Sequence, residues 1–140
     1  MIAEHYDAVL THLESHATMT GHVHDSALLT ADGKLVRGTY WILFGGKPDT
    51  LDDERQTSPQ QANSDADFTY TLRSVSTSAS LCRAASVVGF AHLVGFVPVV
   101  AGRTCGRITF VRGEDPEPDD EVSPPLFYCD DEYSLRSSRA

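Results

Sequence analysis

Five of the six histidines lie within the first 24 residues, so a metal site is the first chemistry to consider. His12 and His16 are four residues apart and would share one face of a helix, while His22 and His24 would project from one side of a strand. Zinc and related metals favour such imidazole pairs. No HExxH or comparable spacing adds specificity, however. We therefore predict solvent-facing histidines and no bound metal, and keep a small metal-dependent enzyme as an alternative.

The sequence also lacks a convincing set of residues for nucleophilic or phosphate chemistry. Cys82 and His92 would share a helix, but ten residues separate them by about 15 Å along its axis. No GxSxG motif is present, and GGKPDT lacks the register of a phosphate-binding loop. Paired acids such as Asp52 and Asp53 lie next to loop prolines, where we expect solvation and ordinary acidity. We therefore predict a protein that is not an enzyme and has no cofactor.

Length and composition predict one compact domain over residues 1–140. The chain has 41% hydrophobic and 22% charged residues, and this length can bury a substantial core. The longest apolar stretch, 87–100, is too short to span a membrane and contains His92 and Pro98. The N-terminus carries acids where a secretion signal would be basic, and the three cysteines are an odd number without CxxC spacing. These features predict a protein made and kept soluble in a reducing cytoplasm.

The net charge of −9 is concentrated in one part of the chain. Nine of the 20 acidic residues lie between Glu114 and Glu132, where there is no Lys or Arg, and the other 11 acids match the 11 basic residues. Binding to nucleic acid through phosphate contacts needs a clustered basic face, and none is visible. Within this region we predict a solvated loop over 113–125, with a charged surface for a partner as the alternative.

The apolar spacing predicts an α+β fold, a mainly antiparallel sheet with two helices packed on it, in the order α-β-β-β-α-β-β. Asp32 and Gly33 suit a tight turn, so the first two strands should form a hairpin. In DFTYTLRSVS, Phe68, Tyr70 and Leu72 alternate with polar residues, as in a half-buried strand. The predicted elements are a helix over 2–17, strands over 22–29, 38–44 and 67–76, a helix over 79–96, and strands over 103–112 and 126–136.

Two predicted elements are apolar on more than one side. The strand TYWILF carries apolar residues on both faces, so both should be covered. In the second helix one stripe comprises Leu81, Ala84, Ala85, Val88 and Ala91, and a different side carries Val87, Phe90 and Val94. One side can cover the sheet, and the other needs a second layer or a neighbouring subunit. The segment 45–65 has no apolar periodicity and is predicted to be a long loop, of a kind often used for contact.

Taken together, these sequence segments resemble those of the tail terminator proteins of long-tailed bacteriophages. The similarity covers the opening helix, TYWILF, the long loop, DFTYTLRSVS with the helix SLCRAASVVGFAHLVGF, and LFYCDDEYSLRSS. It implies a ring of six subunits in the virion that closes the head-proximal end of the tail tube, stops its polymerisation and joins the head. The implied partners are further copies of the chain, the tail tube protein and a head-completion or connector protein, with DNA passing through the ring.

A ring requires two different patches that meet head to tail. We predict that the long loop contacts either a neighbouring subunit or the tail tube, through Lys47, Asp52, Asp53, Glu54 and Arg55. Another neck, connector or minor tail protein is the closest alternative to a terminator. A monomeric domain that binds a small ligand is a third class, and it would require a concave apolar pocket.

Overall fold

A computed structural model describes residues 2–25, 37–51, 65–121 and 124–140. The elements in chain order are α1 (Ile2–Glu14), β1 (Val23–His24), β2 (Tyr40–Leu51), β3 (Ala66–Ser76), α2 (Ala79–Leu93), β4 (Arg103–Cys105), β5 (Thr109–Gly113), β6 (Glu117–Asp119) and β7 (Leu126–Arg139). Within these ranges the strands form one mainly antiparallel seven-stranded sheet, and both helices contact it. The predicted α+β class is confirmed.

The long strand β7 organises the sheet. One of its edges pairs antiparallel with β3 over the full length of β3. Its other edge pairs in succession with β6, β5 and β4. On the far side of β3 the sheet continues through β2 to the short β1, so β2 and β5 lie towards opposite margins.

The main core lies between the helices and the sheet. Phe68, Tyr70 and Leu72 are fully buried, which confirms the alternation predicted for β3. Trp41 of β2 joins them and its indole N–H donates to the backbone oxygen of Ala85 in α2, at 3.0 Å. Each fully buried side chain of this size contributes roughly 2 kcal/mol, so this layer is the main source of stability.

The other face of β2 is also covered, as predicted for TYWILF. Tyr40 and Ile42 pack with Val75 of β3 and Leu126 of β7 in a second, smaller apolar cluster. Phe44 is the exception because 38% of it is exposed.

The predicted hairpin is wrong. β1 comprises only Val23 and His24 of the predicted strand 22–29, and it runs parallel to β2, with Val23 opposite Trp41. Parallel neighbours cannot be joined by a tight two-residue turn. Residues 26–36, with the predicted turn at Asp32 and Gly33, lie outside the described residues.

The predicted loop over 45–65 starts later than expected. β2 continues to Leu51, and residues 52–64 lie outside the described residues. Glycines and a proline usually mark a turn, but here the chain stays paired with β3, with shifts in register between Gly45 and Pro48 and after Pro48. Pairing with a long neighbouring strand has overridden the local turn preference.

The predicted strand 103–112 is two strands, β4 and β5. Ile108 interrupts it because its backbone exchanges hydrogen bonds with the segment after α2, accepting from Gly95 and donating to Phe96. A further strand, β6, falls inside the predicted loop 113–125 and pairs with the start of β7. That region is therefore more ordered than its acidic composition suggested.

Both helices are shorter than predicted, ending at Glu14 and Leu93 rather than at 17 and 96. Neither is long and apolar enough to cross a bilayer, within the described ranges. The predicted stripe on α2 is wrong, because Leu81 is half exposed and the buried residues are Cys82, Ala85, Gly89 and Leu93. Gly89 decides this orientation: a Cβ atom there would lie 2.5 Å from Leu72 Cδ2, so the helix approaches β3 through its glycine.

Gly45 of β2 should be difficult to replace. Its φ is +104°, and a Cβ atom there would clash with the backbone oxygen of Thr69. We expect Gly45→Ala to lower the free energy of unfolding by about 3 kcal/mol, from backbone strain and this clash together. Gly21→Ala is the matched control, since Gly21 has φ +76° but nothing within 4 Å, and it should cost about 1 kcal/mol. Equal losses in urea denaturation would show that the approach to Thr69 adds nothing to the backbone strain.

Candidate assembly surfaces and the histidine cluster

The interface predicted from the sequence lies mostly beyond what the structure describes. Lys47 belongs to β2, within the first shift of its register against β3, between Gly45 and Pro48. Asp52, Asp53, Glu54 and Arg55 lie outside the described residues. Their assignment to an interface therefore stays a prediction. Two other candidate surfaces are identified below by their exposed apolar side chains.

The first candidate surface, here called the α2–β5 face, consists of Arg83, Val87 and Phe90 of α2, Val94 at its C-cap, and Phe110 of β5. Arg83, Val87 and Phe90 follow the spacing i, i+4, i+7 and so share one side of α2, which Val94 continues at i+11. Val87 is 67% exposed, Phe90 43% and Phe110 42%. The rings of Phe90 and Phe110 meet edge to face with centroids 5.3 Å apart, which joins helix and strand into one surface.

This surface is the second apolar side of the helix that the sequence predicted. It faces away from the buried residues Ala85 and Gly89, which contact the sheet. The ring of Phe110 packs on the buried ring of Tyr133, with centroids 5.8 Å apart. A continuous apolar surface supported by the core in this way is typical of a contact site.

The second candidate surface, here called the α1–β2 groove, is lined by Ala3, Tyr6, Asp7, Asp25, Leu43, Phe44 and Gly45. The Tyr6 hydroxyl donates to the backbone oxygen of Leu43 at 2.8 Å and fixes α1 against β2. Burial and the nearby carboxylates of Asp25 and Asp7 raise the pKa of Tyr6. The groove is therefore apolar at its centre and acidic at its rim.

Backbone groups add to the character of this groove. β1 pairs with β2 only at Trp41 and Ile42, so from Leu43 onwards β2 pairs with β3 alone among the described residues. An open strand edge beside exposed Phe44 offers both hydrogen-bonding groups and apolar surface.

Three acids of the charged region lie on β7 and have partners on neighbouring elements. Asp130 accepts two hydrogen bonds from the Arg73 guanidinium, at 2.8 and 3.0 Å, and this pairing raises the pKa of Arg73. Glu132 pairs with Arg112 at 2.9 Å. Asp131 is buried and accepts a hydrogen bond from Ser86, and burial raises its pKa.

The remaining acids of this region form an exposed surface. They lie in and around β6, at Glu114, Asp115, Glu117, Asp119, Asp120 and Glu121. A shallow pocket of about 290 Å³ runs beside them, with Tyr40 and Arg73 on its opposite wall. The acidic surface predicted from the sequence is therefore carried partly by a strand.

The histidines assemble differently from the predicted two-plus-two arrangement. His12 and His16 do approach each other, with Nε2 atoms 3.5 Å apart, but the third member is His92 of α2, whose ring stacks on His16 at 3.6 Å. His22 is exposed, and His24 lies edge-on to Tyr40. In the sequence, His92 stood out only as a possible partner for Cys82.

This cluster is a packing joint between the helices. The backbone oxygen of His92 lies 2.8 Å from His12 Nε2, and since a carbonyl can only accept, this nitrogen carries a proton. Metal ligation by that nitrogen would break the hydrogen bond. Within the described ranges, no three His, Cys, Asp or Glu side chains are arranged to hold a metal ion.

His5 is a structural residue that was not predicted from the sequence. It is fully buried, stacks on Phe68 at 4.5 Å, and its Nε2 lies 2.8 Å from Ser137 Oγ of β7. Arg103 of β4 donates to the same hydroxyl at 3.0 Å. The helical spacing of Val9 and Leu13 from His5 was the available signal, since all three share one buried side of α1.

Two thiols contact each other where α2 packs on β7. Cys82 and Cys129 are free and buried, with Sγ atoms 3.4 Å apart. The Cys129 sulfur and burial raise the pKa of Cys82, which favours the unreactive thiol.

Comparisons with known proteins add information about the fold. No family model matches this chain, and no curated protein matches it either. A chain of a solved structure described as "Virion of native gene transfer agent (GTA) particle" superposes on it with a TM-score of 0.65 and 18% identity, covering 94% of this chain and 92% of that one. The chain therefore has the α+β fold of that virion component over nearly its whole length.

Protonation of the histidine joint should weaken the fold. Burial and the neighbouring His16 and His12 lower the pKa of His92 below 6.5, so unfolding takes up a proton when the pH is between the folded and unfolded values. The His92 contribution to stability is full above about pH 7.5 and decreases as the pH falls through 6.5. We expect His92→Gln to show a smaller loss of stability between pH 7.5 and 5.5 than the original chain, in urea denaturation.

His22→Gln provides the matched control, because His22 is exposed and lies outside the joint. It should reproduce the pH dependence of the unsubstituted chain. An unchanged pH dependence in His92→Gln would show that the joint does not couple protonation to folding.

Proposed function

We propose that this chain is a structural, non-enzymatic virion protein of a phage-type particle, which caps the head-proximal end of the tail tube and joins it to the head. The observation that carries the proposal is the nearly full-length fold match to a chain of the gene transfer agent virion. The resemblance of the sequence to tail terminators supports the finer assignment.

The surfaces suit a protein that works by contact. The α2–β5 face and the α1–β2 groove are unlike each other, as a closed ring requires, because a head-to-tail interface joins two different patches. A ring of six such subunits on the last layer of tube protein would cover the site to which the next layer adds. Its opposite side would then receive the head-completion or connector protein.

The acidic surface also fits this role. The exposed acids around β6 would repel the phosphates of DNA that passes through a ring, so DNA would not be retained. The chain would be made soluble in the cytoplasm of the host bacterium and end in the virion, with neither membrane nor cofactor as a partner.

A connector, neck or minor tail protein is the second candidate. The same fold match supports this role equally well, because the description of that structure names a particle and no position within it.

Labelling of particles produced by the genome that encodes this chain tests the proposal. We expect gold-labelled antibody against the chain to mark the head–tail junction in electron micrographs. Without the chain, tubes should grow beyond their normal length and remain unattached to heads. Tubes of normal length that lack heads would favour the connector, and labelling of the tail tip or capsid would contradict both roles.

A further inference from the structure

We infer that the α2–β5 face of one copy binds the α1–β2 groove of the next copy, head to tail. This inference rests on the proposed function, because the contact is the one between neighbouring subunits of the proposed ring. It differs from the contact predicted at Lys47 and the following loop, and it involves only described residues.

The distribution of exposed apolar side chains favours a second copy as the occupant. Among the described residues, Phe44 is the one large exposed apolar side chain on β2, and four others, Val87, Phe90, Val94 and Phe110, lie on the α2–β5 face. The path across the sheet from β2 to β5 passes through β3 and β7. Three strand spacings separate the two surfaces by roughly 14 Å, so a rigid sheet prevents them from covering each other in one molecule. A second copy can satisfy both at once.

The charges of the two surfaces are complementary. Arg83 is exposed on the α2–β5 face and has no hydrogen bond or ion pair within the described part of the chain. The rim of the α1–β2 groove carries Asp7 and Asp25, both exposed. Such rim pairs contribute little affinity, but they select the orientation in which the apolar surfaces meet.

The aromatic residues of the two surfaces suit a stable contact. Phe90 and Phe110 already contact each other on the α2–β5 face, and Phe44 stands at the edge of the groove. Pre-packed aromatic groups lose little conformational freedom on binding and commonly dominate the affinity of an interface.

Paired substitutions on the full chain test the interface. We expect Val87→Asp on the α2–β5 face and Phe44→Asp in the groove each to weaken self-association at least tenfold in sedimentation velocity. Val99→Asp is the matched control, because Val99 is 91% exposed but lies outside both surfaces, beside His12 and Phe96. It should associate like the original chain. Equal weakening by Val99→Asp would overturn the assignment.

Mixing the two variants tests the head-to-tail arrangement. Val87→Asp keeps an intact groove and Phe44→Asp keeps an intact α2–β5 face, so the mixture should form a dimer with one of each and nothing larger. If each surface instead bound its own kind, each variant would dimerise with itself through its intact surface. Every contact between the two different variants would then contain an altered residue, and no such one-to-one dimer would form. That result would contradict the inference.

A charge reversal covers the case in which Phe44→Asp fails to fold. Asp7→Arg lies at an exposed position of α1 and should weaken association, while Arg83→Asp in the same chain should restore part of it. Circular dichroism checks the folding of each variant. An original chain that stays monomeric up to about 1 mM would also overturn the interface. The labelling of virions decides the proposed function separately, since a ring formed through other surfaces would still mark the head–tail junction.

Discussion

The pairing of β3 with β7 is the interaction on which the rest of the structure depends. Their register is unbroken over eleven partners, from Ala66 opposite Ser137 to Ser76 opposite Phe127. This register places Tyr70 beside Tyr133 and Phe68 beside Leu135, all buried on the side that the helices cover. A slip by one residue would turn this layer to the opposite face, so burial and register specify each other. Every other strand attaches to this pair directly or through β2.

Two short helices cannot cover all the apolar surface of such a sheet. α1 and α2 have 13 and 15 residues and are therefore only about 20 Å long. They cover β3 and the adjoining strands on one face and leave Phe110 at its margin partly exposed, while Phe44 is partly exposed on the opposite face, in phase with Tyr40 and Ile42. Exposed apolar area of this kind is unfavourable in water, and a binding partner that covered it would remove that cost.

The histidines that could have bound a metal or reacted with a substrate pack the helices against each other and against the sheet. His12, His16 and His92 hold the helices together, and His5 ties α1 to Ser137 of β7. In each case the functional group is occupied by a backbone oxygen, a hydroxyl or a neighbouring ring.

The sequence by itself determined the α+β class, the two helices, the alternation of β3, the two-sided burial at Tyr40 to Leu43 and the second apolar side of α2. These features follow from local periodicity, because the direction of each side chain depends on its neighbours along the chain. Only the tertiary structure decided the parallel β1, the break at Ile108, the side of α2 that is buried and the meeting of His92 with α1. Each of these depends on contacts between distant residues, such as Gly89 with Leu72, and no local pattern encodes such a contact.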